Sequence, residues 1–212
     1  ELDDLVQEGV TSFKLFTAYP GELMVDDATI LQVMLRAGKK GALVAVHAEN
    51  GSAIEYLVRK ALLGGRTAPI EHALTRPAIA EAEAVHRVIA LARIADVPLY
   101  IVHVSCEESL GEISRARQKG TAVFGETCPQ YLLLTQEDLK RPGFEGAKFV
   151  LTPPLRGHAD QEALWKGLQR DDLQVVSTDH CPFLFETQKR AGLNDFTKIP
   201  NGGPGIENRL QL

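Results

Sequence analysis

Four residues of this 212-residue chain stand at or near the ends of short apolar runs and share a chemistry. They are Lys14 in VTSFKLF, His47 in ALVAVH, His103 in PLYIVHV and Asp179 just after LQVVS. Neutral imidazole and carboxylate are the natural protein donors for zinc. A lone strand histidine is ordinarily a hydrogen-bonded core residue, and a lone strand lysine ordinarily snorkels or meets an acid. Two histidines at matching strand ends with an aspartate at a third read instead as metal ligands. An ammonium repels a cation, but carbon dioxide converts it to a carbamate, whose anionic oxygen pair can bridge two metals. Glu49 and Asn50, just past His47, are placed to orient such a site from behind. His180 faces away from Asp179 if that strand continues and reads as structural, as do His72, His86 and His158. Cys106, Cys128 and Cys181 have no base placed to activate them as nucleophiles.

The elements that must carry these residues follow from periodicity. Val10 to Phe16 alternates as a strand, and from Asp26 the apolar positions Ile30, Leu31, Val33, Met34 and Leu35 recur at helical spacing up to Gly38 and Gly41. Ala42 to His47 is a continuous apolar run, expected of a parallel strand covered on both faces. Helices are predicted over 52–63, 78–96, 109–118 and 159–168, with Pro77 suited to a helix start. Strands are predicted over 98–104, 122–126, 148–152 and 173–177. The stretch from Thr187 to Gly205 is rich in Gly, Asn and Pro and reads as a functional loop.

Strands alternating with helices specify an α/β fold with a parallel sheet, open or closed. The ligands decide between these. An open sheet gathers its site at one switch point, whereas these residues lie at the carboxyl ends of several strands, which only a closed barrel brings around one centre.

Composition narrows the function classes. Hydrophobic residues make up 44% and charged residues 24% of the chain, so a disordered or fibrous protein is excluded. The net charge of −5, without basic clusters, argues against nucleic acid, and no apolar run reaches the roughly 20 residues of a membrane span. Three cysteines without C-x-x-C spacing suggest neither a disulfide frame nor a zinc knuckle and fit a reducing, cytoplasmic setting.

The motifs SFKLFTAYPG, VHAENG, HALTRPxxxExEA, IVHVS, GETCPQYL, TPPLR, TDHCPF and FTKIPNGGPGIENR occur in that order along the chain. Together they resemble the D-hydantoinase and dihydropyrimidinase branch of the amidohydrolase superfamily. The resemblance implies a distorted (β/α)8 TIM-like barrel in which two Zn2+ ions, bridged by N6-carboxylysine at Lys14, hydrolyse the cyclic amide of a small hydantoin or dihydropyrimidine through a bridging hydroxide. It makes His47 and His103 ligands of one zinc and Asp179 both a ligand of the other and the general base. Tyr19 is implied to steady the oxyanion, and Thr152 and Asn201 to hold the ring amide; the family often has serine where Thr152 stands. For the full-length protein it implies a homotetramer or homodimer.

The family's first strand supplies an H-x-H pair that occurs nowhere in this sequence. The expectation is therefore a partial catalytic barrel over residues 1–212, strands three to eight, without the first two strands and the β-sandwich. Two other readings stay open: a non-catalytic relative serving as a scaffold, and an allantoinase- or dihydroorotase-type enzyme. Retention of Lys14, His47, His103 and Asp179 favours an enzyme over the scaffold. GETCPQYL, TPPLR and Tyr19 favour the hydantoinase branch.

Overall fold

The computed structural model describes residues 1–211. In chain order it contains α1 (Leu2–Gln7), β1 (Ser12–Phe16), α2 (Asp27–Gly38), β2 (Leu43–His47), α3 (Gly51–Leu63), α4 (Glu71–Leu74) and α5 (Ala78–Ala95). There follow β3 (Leu99–Ile101), α6 (Glu107–Gln118), β4 (Val123–Thr127), α7 (Pro129–Leu133), α8 (His158–Gln169) and β5 (Val175–Val176). The five strands form one parallel sheet in the order β1-β2-β3-β4-β5, each pairing with its successor. Sequential parallel neighbours joined by helices are the arrangement of a barrel wall, here a partial one.

The side chains alternate across this wall. Val44, Val46, Leu99, Ile101 and Val123 are buried together with Ile30, Met34, Val85, Val88 and Ile113 of the helices. The opposite face carries Lys14, Ala45, Tyr100, Phe124 and Val175, set side by side by the register Lys14↔Ala45, Ala45↔Tyr100 and Tyr100↔Phe124. That face is not covered as the apolar runs suggest: Phe124 is 39% and Val175 38% exposed. Its side chains point where a barrel interior lies, and β1 and β5 are the edges of the sheet.

The helix starts follow capping chemistry. The Asp26 side chain accepts from Thr29 N at 2.8 Å, and the Asn50 side chain accepts from Ala53 N at 3.0 Å. Pro77 stands just before α5, where its missing N–H costs nothing. Gly51 is required by contact: a Cβ there would lie 2.9 Å from Ala18 Cα and Thr17 O, so only glycine lets α3 start against the turn after β1.

One predicted strand is absent. Residues Glu145–Phe149 form a 3-10 turn, and Val150 to Thr152 leaves it unpaired to the sheet, with Val150 extended and Thr152 in a bend. The place beside β4 is taken by β5, through Glu126↔Val175 and Thr127↔Val176. The carbonyls of the displaced segment are satisfied by side chains instead, Val150 O by Lys189 Nζ at 2.7 Å and Leu151 O by His72 Nε2 at 2.9 Å. The short helices α4 and α7 fall between the predicted elements, where no helix was expected. The glycine-rich stretch near the end of the chain is folded tightly, with Phe196 and Ile199 buried.

Candidate metal centre

The site is built at the carboxyl ends of β1, β2 and β3. Thr17, 1% exposed, fastens the first two: its hydroxyl donates to Glu49 O at 2.8 Å and accepts from Glu49 N at 3.0 Å. This holds the turn after β2 so that His47 points across to β3. There His47 Nδ1 stands 3.0 Å from His103 Nε2, with the two rings edge to face at 4.6 Å between centroids. Two nitrogens on one tetrahedral zinc, each about 2.0–2.1 Å from it, stand roughly 3.3 Å apart, so this pair fits a shared metal. The outer nitrogen of His47 reinforces the fit. Its Nε2 lies 2.8 Å from Glu49 Oε2, and a proton held there leaves Nδ1 as the free donor, the carboxylate–histidine pairing found behind metal-binding imidazoles.

Electrostatics favour the same state. Burial raises the Glu49 carboxyl, but the hydrogen bond and charge of His47, together with Arg76 and Arg156, outweigh it and hold its pKa below the usual value. Burial, aided by the charges of His47 and Lys14, pushes His103 well below an ordinary histidine, so its imidazole is neutral and able to ligate. The backbone N–H of His103 donates to Glu126 Oε1 at 3.2 Å, and the other oxygen of Glu126 accepts from Tyr100 Oη at 2.7 Å.

Lys14 lies on the open face of β1, its Nζ 5.0 Å from the centroid of the Phe16 ring, which stacks on His47 at 5.3 Å. Asp179, beyond β5, is exposed and is not gathered onto the histidines: among the described residues no three His, Cys, Asp or Glu side chains form one metal-holding group. Tyr19, Thr152 and Asn201 do meet. Burial raises the Tyr19 hydroxyl, and the nearby side chains of Thr152 and Asn201 partly offset this, so the phenol stays protonated and able to donate. Beside it opens a cavity of about 140 Å3 lined by Tyr19, Glu49, Gly51, Arg76 and Thr152.

His180 is structural, its Nδ1 accepting from Gly205 N at 3.2 Å. His72 is too, hydrogen-bonded to Leu151 O and 3.1 Å from Thr152 Oγ1. Cys106 and Cys128 are buried, and burial pushes the Cys128 thiol up to about 12.

Sequence reasoning missed two features. Tyr19, His103 and Asp179 all have left-handed backbones, with φ of 66°, 42° and 44°, a conformation that non-glycine residues keep mainly where surrounding structure holds them. The second is a buried ion pair beneath the site, Arg156 Nη2 to Glu81 Oε2 at 3.0 Å. Ser105, two residues after His103, is locked between the two: its N–H and hydroxyl donate to Glu81, and Arg156 Nε donates to its Oγ at 3.1 Å. Both charged residues lie within the motifs HALTRPxxxExEA and TPPLR, which was the only signal available for them.

A wall of parallel strands paired in sequential order, each joined to the next through helices, defines part of a βα barrel, here with a histidine pair at its carboxyl edge. No family model matches the chain. Against curated proteins it is 57% identical over 212 residues to the D-hydantoinase of Streptomyces coelicolor, and 54% identical over 212 residues to that of Rhizobium radiobacter. These alignments cover 100% of this chain and 45% and 46% of the relatives. Among solved structures, the dihydropyrimidinase of Brevibacillus agri superposes with a TM-score of 0.97 at 53% identity, over 99% of this chain and 46% of that one. The chain belongs to the hydantoinase and dihydropyrimidinase family. It spans a little under half the length of the curated relatives it matches.

Proposed function

We propose that the protein is a zinc-dependent cyclic amidohydrolase that opens the ring of hydantoins or dihydropyrimidines, and that residues 1–212 form a partial catalytic barrel of it. The observation that carries the reading is the buried pair His47 Nδ1 and His103 Nε2, 3.0 Å apart with Glu49 behind, on a chain 57% identical to a D-hydantoinase.

In this reading His47, His103 and Lys14 in its N6-carboxy form would hold one zinc ion, and Lys14 with Asp179 would hold a second. The two ions supply Lewis-acid activation of water and of the ring carbonyl when bound. The chain's own groups do the rest. Asp179, exposed beyond β5, takes a proton from the attacking water as general base and passes it to the departing ring nitrogen. The Tyr19 hydroxyl donates to the oxygen on which negative charge develops, and its raised pKa keeps that proton in place at neutral pH. Thr152 and Asn201, beside Tyr19, hold the ring amide through their backbone groups and so orient it. A small cyclic amide is the substrate, and a homodimer or homotetramer in the cytoplasm belongs to the same reading. No helix among the described residues is long and apolar enough to cross a membrane.

The test is ring opening of hydantoin and of dihydrouracil by the complete enzyme, followed by loss of ring absorbance. Hydrolysis that a chelator abolishes and zinc restores is the expected result. No turnover of either ring by zinc-loaded protein would overturn the reading.

A further inference from the structure

Lys189 is 2% exposed, yet no Asp or Glu pairs with it among the described residues. A buried ammonium is costly unless its donors are satisfied. Here two of its three donors are satisfied by backbone carbonyls, Val150 O at 2.7 Å and Gly202 O at 2.8 Å. Those atoms are well separated in the chain and adjacent in space, because Gly202 N also donates to Val150 O at 3.1 Å. Val150 lies two residues before Thr152, and Gly202 immediately follows Asn201.

His72 also holds the first segment, at Leu151 O, but Lys189 is the side chain that donates to both segments. Neither belongs to the sheet, so no ladder fixes its position. Gly202 has φ of 149°, and a Cβ there would lie 2.3 Å from Cys181 O, so the segment is pressed against the turn after Asp179. Cys181 N donates to Gly203 O at 3.1 Å, which ties that turn to the same brace. The Phe183 ring lies 5.8 Å from the ammonium, and the titratable groups facing it are Cys181, which acts on Lys189, and His72, on which Lys189 acts.

We propose that Lys189 is a positioning residue that sets the spacing between the backbone at Thr152 and the backbone at Asn201, and with it the width of the slot for the ring amide. It touches no reacting atom; it acts through the two peptide segments it bridges. This inference rests on the proposed cyclic-amide reading of the site. Because a grip on the ring amide is made alike in the bound substrate and in the transition state, loosening it raises KM and leaves kcat nearly unchanged.

Lys189→Met keeps the volume and removes every donor, and Lys189→Gln keeps two N–H donors on a shorter arm. In the zinc-loaded complete enzyme Lys189→Met is expected to raise KM about 10-fold, with kcat within about 2-fold and zinc content unchanged, and Lys189→Gln to raise KM by less. If the methionine variant does not fold, the glutamine variant is read, and a KM raised at least about 3-fold is required of it. Amide exchange on the 212-residue chain supplies a readout independent of turnover: the Gly202 amide is expected to exchange faster in either variant, while amides of β2 and β3 are unchanged. A KM within about 2-fold of the parent, a fall in kcat alone, or unaltered exchange at Gly202 overturns the proposal. An inactive parent enzyme would count against the cyclic-amide reading, and the exchange result would still decide whether Lys189 braces the two segments.

Discussion

Arg156→Met is the perturbation whose cost can be worked out most fully. Arg156 and Glu81 side chains are 7% and 3% exposed, so neither charge is screened by water. Removing the guanidinium takes away its bonds to Glu81 Oε2 at 3.0 Å, Ser105 Oγ at 3.1 Å and the carbonyl of Arg76. It leaves a buried carboxylate held only by Ser105, and breaking a buried pair from one side costs about 3–5 kcal/mol. For a chain of this size that lowers Tm by on the order of 10 °C. The companion variant Glu81→Leu/Arg156→Met removes both charges. Its loss should be smaller than that of Arg156→Met alone, because what remains unpaired is neutral, the Arg76 carbonyl and the Ser105 N–H and hydroxyl, and no charge is left buried; a coupling of about 2 kcal/mol or more is expected in a double-mutant cycle with Glu81→Leu. Urea unfolding of the four proteins measures this. An Arg156→Met cost under about 1 kcal/mol, or costs that simply add, would refute the idea that this pair holds Ser105 and the turn bearing His103.

Other outcomes follow from the same geometry. Tyr19→Phe should lower turnover about 100-fold with zinc content unchanged, and unaltered kinetics would remove Tyr19 from its role. Glu49→Gln should weaken zinc binding about 10- to 100-fold, measured by competition with a chromophoric chelator, since it loosens the proton on the outer nitrogen of His47; equal affinity would show that the 2.8 Å contact does not orient the ring. Burial lowers Lys189 from 10.5 to about 8, so between those pH values the unfolded chain holds the extra proton and stability rises with pH. Below about 8 the cost of burying the charge is fully present. The gain over that window is about 2 kcal/mol after allowance for residual screening, and Lys189→Met should abolish it; parallel pH slopes in both proteins would contradict the assignment.

Much of this was readable from residue order because parallel strands write themselves as uninterrupted apolar runs. ALVAVH and PLYIVHV gave β2 and β3 with the histidines at their ends, and Asp26, Gly38 and Pro77 bounded helices as capping chemistry requires. The stretch 148–152 misled because KFVLT has strand composition, while its carbonyls are claimed by Lys189 and His72, which lie about 40 and 80 residues away in sequence. Pattern alone cannot see such a long-range claim. Lys189 itself, in TQKRAG, looks like a surface lysine, and only the folded chain buries it. The left-handed backbones at Tyr19, His103 and Asp179 were invisible for another reason: only glycine advertises that conformation in sequence, and these residues are held in it by their surroundings.

Zinc stoichiometry of the purified 212-residue chain tests the central claim most directly. On the proposed reading His47, His103 and the Lys14 carbamate would hold one ion, and this chain would offer a second ion only Asp179 and the same carbamate, too few donors to keep it. Metal analysis should therefore find one zinc per chain, lost in His47→Ala and in His103→Ala and kept in Asp179→Ala, with no ring-opening activity in the chain alone. Two equivalents of zinc accompanied by turnover, or one that survives removal of both histidines, would contradict it.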